Sequence, residues 1–137
     1  MQKYFKYIII LVGSIVWSLT MFRSGLMIGG NIGFFGANGH DGIWHLTIIN
    51  SLSKGNLNMP VFSGENIKNY HIGYDVFVAI LHRLTTIDIS VLYFQILPFV
   101  FSFLIGLLVY QFVLNWKKDG SSAIWATLFT YFSVFPY

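Results

Sequence analysis

The chain has 137 residues, 55% hydrophobic and 9% charged, with a formal net charge of +3 and a mean hydropathy of +0.67. A water-soluble domain carries roughly 25% charged residues, so the composition excludes an ordinary soluble globule, and the eight Lys and Arg residues are too scattered to bind nucleic acid. Cysteine is absent, which excludes disulfides and thiolate metal sites.

Taken in chain order, Lys3 and Lys6 form a short basic start, and Tyr7–Phe22 then runs 16 residues without a charge. Arg23 can snorkel, so the run predicts a first transmembrane helix over residues 7–28. A signal peptide is the competing reading, but no Ala-x-Ala cleavage site follows Trp17. Glycines at 25, 29, 30, 33, 36 and 39 oppose a stable helix interior and predict a loop. Ile43, Leu46 and Ile49 recur at helical spacing and predict a short amphipathic helix near 41–54, stopped by Gly55. Pro60 and Gly64 punctuate a loop, and a second amphipathic helix is expected near 69–86.

Ile89–Trp116 is uncharged and longer than the ~20 residues a crossing needs, with Pro98 as an expected kink. Lys117-Lys118-Asp119-Gly120 reads as a tight turn, and 121–137 as a third crossing. The fold class expected is an all-α membrane protein with three transmembrane helices. A long loop, 29–88, carries interfacial helices between the first two. Lys3, Lys6, Lys117 and Lys118 place the N-terminus in the cytoplasm by the positive-inside rule. The loop is then extracytoplasmic, and the charges between Phe22 and Ile89 cancel: Arg23, Lys54, Lys68 and Arg83 against Asp41, Glu65, Asp75 and Asp88. The final apolar stretch lacks a polar flank, and the chain is expected to be the front part of a longer membrane protein.

That loop holds all four histidines and every acid except Asp119. On a helix of about 100° per residue, His71, Asp75 and His82 fall within ~40° of one another, making a polar stripe on an apolar helix. An aspartate one turn from a histidine can orient the imidazole or share a cation with it; a plain interfacial helix with its polar edge in water explains the stripe equally. Asp41 and His45 repeat the pairing four residues apart, although Asp41 also suits a helix N-cap. The oxygen and imidazole ligands of Asp41, His45, His71 and Asp75 suit Mg²⁺ or Mn²⁺ and tolerate Zn²⁺. Lys68 and Tyr70 add a cation and a phenol beside the stripe. No HExxH, GxSxG, Walker or CxxC pattern occurs.

The runs Gly39-His-Asp-Gly-Ile-Trp-His45 and Lys68-Asn-Tyr-His-Ile-Gly-Tyr-Asp75, in a long first loop between crossings, resemble the front of a GT-C-type membrane glycosyltransferase. The resemblance implies transfer of a sugar from a polyprenyl-phosphate carrier in the bilayer to an extracytoplasmic acceptor. It implies that Asp41 is the acidic catalytic residue of the loop, and that the remaining crossings lie in a longer chain or a partner subunit. His40, His45, Lys68, Tyr70, His71 and Asp75 are the expected substrate-binding residues. The family's paired acids are missing, because Asp41 is flanked by His40 and Gly42. The alternative is a non-catalytic membrane protein: an assembly subunit or a flippase-like binder of the lipid carrier.

Overall fold

The computed structural model describes residues 2–22, 27–28, 31–32, 38–60, 65–67 and 70–133. They are overwhelmingly helical and divide into two compact units, 1–22 with 97–137, and 23–96.

The first unit packs α1 (Gln2–Phe22), α5 (Leu97–Lys117) and α6 (Gly120–Phe132) together. α5 is the larger part of an unbroken helical run, Ile89–Lys117. Its 29 residues are long and apolar enough to cross a membrane. In α1 the comparable apolar stretch is the shorter Tyr4–Ser18. Asp119 starts α6 by accepting hydrogen bonds from the backbone N–H groups of Ser121 and Ser122, which satisfies two donors otherwise left unpaired at a helix start. A bond donated by the Ser122 hydroxyl, and after it these two backbone bonds, holds the Asp119 carboxyl below its ordinary range.

The outside of this unit is heavily apolar, and its interior holds hydroxyls beside Ile9, Ile10, Leu97 and Ala123. Tyr4, Ile8, Leu11, Ile15, Leu104, Leu108, Phe112 and Phe129 face outward, whereas Ser14, Ser18, Ser102 and Thr127 are buried. At the centre Tyr131 is 1% exposed. Its hydroxyl donates to the Ser102 carbonyl at 2.7 Å and lies 3.2 Å from Ser14 Oγ. Gly13 and Gly106 flank it so closely that a methyl on either would overlap the ring or the hydroxyl. Small residues that let helices approach, with hydroxyls bonded between them, are how helices associate where the solvent is lipid.

The second unit holds α2 (Asn38–Ser53), α3 (Gly73–Thr85), the single turn α4 (Ile89–Val91) and a π-helical turn, Leu92–Ile96. Asp88 caps α4 by accepting from the Ser90 N–H at 2.8 Å. Pro98 has no N–H to offer the Phe94 carbonyl four residues earlier, and the wide turn falls just before it. Ile48 and Ile49 of α2 are buried, as are Val78 and Ala79 of α3 and Leu92 and Phe94 of the π turn. Gly42 leaves room for Phe94: an added Cβ would stand 2.7 Å from Phe94 Cζ. Asn58 and Asn66 form an isolated antiparallel β-bridge.

Several expectations need correction. The first helix does not run to 28. Met27–Ile28 (β1) pairs antiparallel with Asn31–Ile32 (β2), Met27 opposite Ile32, in the glycine-dense stretch where helix is disfavoured. α2 begins at Asn38, not Asp41, which puts Asp41 in the first turn, where the helix dipole favours a carboxylate, and not at the cap. α3 begins at Gly73, so His71 precedes it and the stripe His71–Asp75–His82 does not exist. α6 ends at Phe132, and residues 134–137 of the expected third crossing lie outside the described residues.

Candidate functional site

α2 and α3 place His45 and Asp75 face to face. His45 Nδ1 stands 2.8 Å and 3.1 Å from the two carboxylate oxygens of Asp75. When Asp75 is ionised its carboxylate only accepts, so Nδ1–H donates and a neutral imidazole carries its lone pair on Nε2. Asp75 is completely buried, whereas the His45 side chain keeps 25% of its exposure. Burial pushes the Asp75 carboxyl above its ordinary 3.8, against the smaller lowering effects of the hydrogen bond and charge of His45.

Aromatic rings enclose the pair. Tyr93, from the π turn, stacks on the His45 ring with centroids 6.0 Å apart and planes 23° apart. Tyr70 approaches the imidazole from another direction, also at 6.0 Å, and meets Trp44 edge-on at 6.3 Å. Tyr74 meets Tyr93 edge-on at 5.4 Å. The Tyr74 hydroxyl is pushed well above the usual phenol range, first by burial and then by Tyr93 and Asp75, so it is a neutral donor at any physiological pH. Asp41 is exposed one turn before His45, and its carboxylate and that of Asp75 both act on the Tyr93 phenol.

The structure thus joins two residues that the sequence had assigned to separate pairs. His45 is partnered by Asp75, 30 positions away, and not by Asp41. Asp75 bonds across to α2, and not to His71. His71 is exposed. His82 donates from Nδ1 to the Ile87 carbonyl at 2.7 Å, tying the end of α3 to the turn that follows. Tyr70 belongs to the site through its ring. Lys68 lies outside the described residues, as does the side chain of His40. Tyr93 escaped the sequence reading because a tyrosine opening a long apolar run looks like an interfacial anchor.

Among the described residues no group of three or more His, Cys, Asp or Glu is gathered as a ligand set. The arrangement is suited to proton transfer: an oriented imidazole, a buried carboxylate to stabilise its cation, and aromatic rings around the pair. No protein-family model, curated protein or solved structure matches the chain.

Proposed function

We propose that the protein is a membrane glycosyltransferase that moves a sugar from a polyprenyl-phosphate carrier to an extracytoplasmic acceptor, with the His45–Asp75 pair as its proton-accepting centre. The observation that carries this reading is the 2.8 Å bond from His45 Nδ1 to a fully buried carboxylate. A histidine so fixed is equipped to take a proton from a hydroxyl. His45 Nε2 accepts the proton of the acceptor hydroxyl as that oxygen bonds to the anomeric carbon. The bond from the anomeric carbon to the carrier phosphate breaks, and the phosphate leaves with the electron pair. Asp75 steadies the imidazolium, and Asp41, one turn away, orients the acceptor. The sugar donor itself follows from the resemblance of the two loop motifs to the glycosyltransferases.

In this reading α1, the run Ile89–Lys117 and α6 are three crossings, supported by the outward apolar and inward hydroxylated packing of the first unit. Lys117 and Lys118 mark the cytoplasmic side, and α2 and α3 stand on the opposite one.

The test is transfer from a fluorescent polyprenyl-phosphate sugar by the full chain in lipid. His45→Gln and Asp75→Asn should each lower kcat by at least about 10²-fold with little change in KM, and Asp41→Asn should raise KM. Loss of transfer in Asp41→Asn with His45→Gln fully active would move the base to Asp41. No transfer by the native protein would sink the reading.

A further inference from the structure

Lys6 is a half-buried cation held by aromatic rings in place of a carboxylate. Its ammonium stands 4.8 Å from the centre of the Tyr7 ring and 4.9 Å from that of Tyr110, so it joins α1 to α5 through two ring faces. Among the described residues it forms no ion pair with an acid. The dipole of α1 gives it no help, because Lys6 lies near the positive end of that helix, whose first turn holds no acid. Lys117 is better served. It lies over the Trp116 ring at 4.3 Å and in the last turn of α5, where the helix dipole favours a cation. Asp119, the acid at this end of the unit, is engaged in starting α6.

We infer that Lys6, Tyr7 and Tyr110 seat the phosphate of one anionic lipid of the cytoplasmic leaflet. Charge calls for an anion from outside the chain, since an ammonium carries three N–H donors and ring faces supply no oxygen to accept them. Depth identifies that anion as lipid. Tyr110 precedes Lys117, the last residue of α5, by about 10 Å along the helix axis. Lys6 therefore stands on the hydrocarbon side of Lys117, where an ammonium without an anion is costly and headgroup phosphates are the nearest anions. Leu11, one turn beyond Tyr7 on the same face of α1, is exposed and offers apolar surface to the acyl chain. A lipid seated there would touch both α1 and α5 and hold them together at that end.

The inference rests on the membrane part of the proposed function and not on the chemistry. The full chain in dodecyl maltoside is equilibrated with equal amounts of dioleoyl phosphatidylglycerol and dioleoyl phosphatidylcholine, and the lipids it retains are read by native mass spectrometry. The native chain should retain phosphatidylglycerol several-fold more than phosphatidylcholine. Lys6→Gln should bring the two to parity, and Tyr110→Leu should reduce the preference. Lys6→Arg should keep it, because a guanidinium also stacks on ring faces. Lys54→Gln, at an exposed lysine of the second unit, should leave it unchanged. Equal retention of the two lipids by the native chain would overturn the lipid inference alone, as would an undiminished preference in Lys6→Gln. Displacement of phosphatidylglycerol by millimolar inorganic phosphate would also overturn it, since the seat would then be one for free phosphate. If circular dichroism shows that Lys6→Gln has lost its helices, Tyr110→Leu decides, and an undiminished preference there overturns the inference. A native chain that stays dissolved without detergent would overturn the membrane reading as well.

Discussion

Asp75 is a residue whose burial costs something and whose partner recovers only part of it. Its carboxyl is raised above its ordinary 3.8 by burial, so the folded state holds that proton more tightly than the unfolded chain. The contribution of Asp75 to stability is therefore complete below pH 3.8 and is lost as pH rises through the higher folded value. Asp75→Asn keeps an acceptor for His45 Nδ1–H without the charge. The native protein should lose stability relative to this variant as pH rises above 3.8, read from thermal unfolding midpoints in detergent. Parallel midpoints across that range would mean the carboxyl is not raised. Thr86 is a second costly residue: it ends α3 at φ 59° with its N–H on the His82 carbonyl, a left-handed conformation that disfavours a β-branched side chain. Thr86→Gly should raise stability by up to about 1 kcal/mol; a lower midpoint would show that the threonine side chain is worth more than the strain.

Among the elements, α6 is the one whose fit depends most on a single side chain. Tyr131 sits where α1, α5 and α6 meet, edge-on to Trp17 at 5.6 Å, its hydroxyl on the Ser102 carbonyl. Tyr131→Phe should cost about 1 kcal/mol, the net worth of one such bond. Gly106→Ala should cost about 1–3 kcal/mol by overpacking, because the added methyl would meet the Tyr131 hydroxyl. In the double variant the cost of Gly106→Ala should shrink, since the hydroxyl it strikes is gone. Strict additivity would place the strain elsewhere. The π turn has a comparable role in the second unit. It carries Tyr93 onto His45 and Phe94 into the space above Gly42, two neighbouring residues both directed into the site.

For the molecule as a whole, the governing property is the solvent its surface meets. Leu108 is 68% exposed near the middle of the segment Leu97–Lys117. Leu108→Arg should cost about 2.5–3.5 kcal/mol of membrane insertion, seen as material released by alkaline carbonate washing. Unchanged retention would mean that this face of α5 does not meet lipid.

Length, apolar runs and charge placement put helices at 7–28, 41–54, 69–86 and 89–116, each overlapping one in the structure, because local hydrophobic periodicity and the absence of charge act through neighbouring residues; the ends were misplaced by up to five or six residues. The same local rule singled out His45, Asp75 and Tyr70, which the structure brings together, but it paired them differently. Spacing along one helix can only pair residues three or four apart, as it did Asp41 with His45 and His71 with Asp75. The real partner of His45 is chosen by how α2 packs on α3, which aligns residues 30 apart, and the start of α3 at Gly73 removes His71 from the helix altogether. Tyr93 enters the site by the π turn, and Tyr131 becomes the centre of its unit by the closeness of Gly13 and Gly106. Which side chains meet was decided by tertiary packing, since it alone brings distant residues within bonding distance.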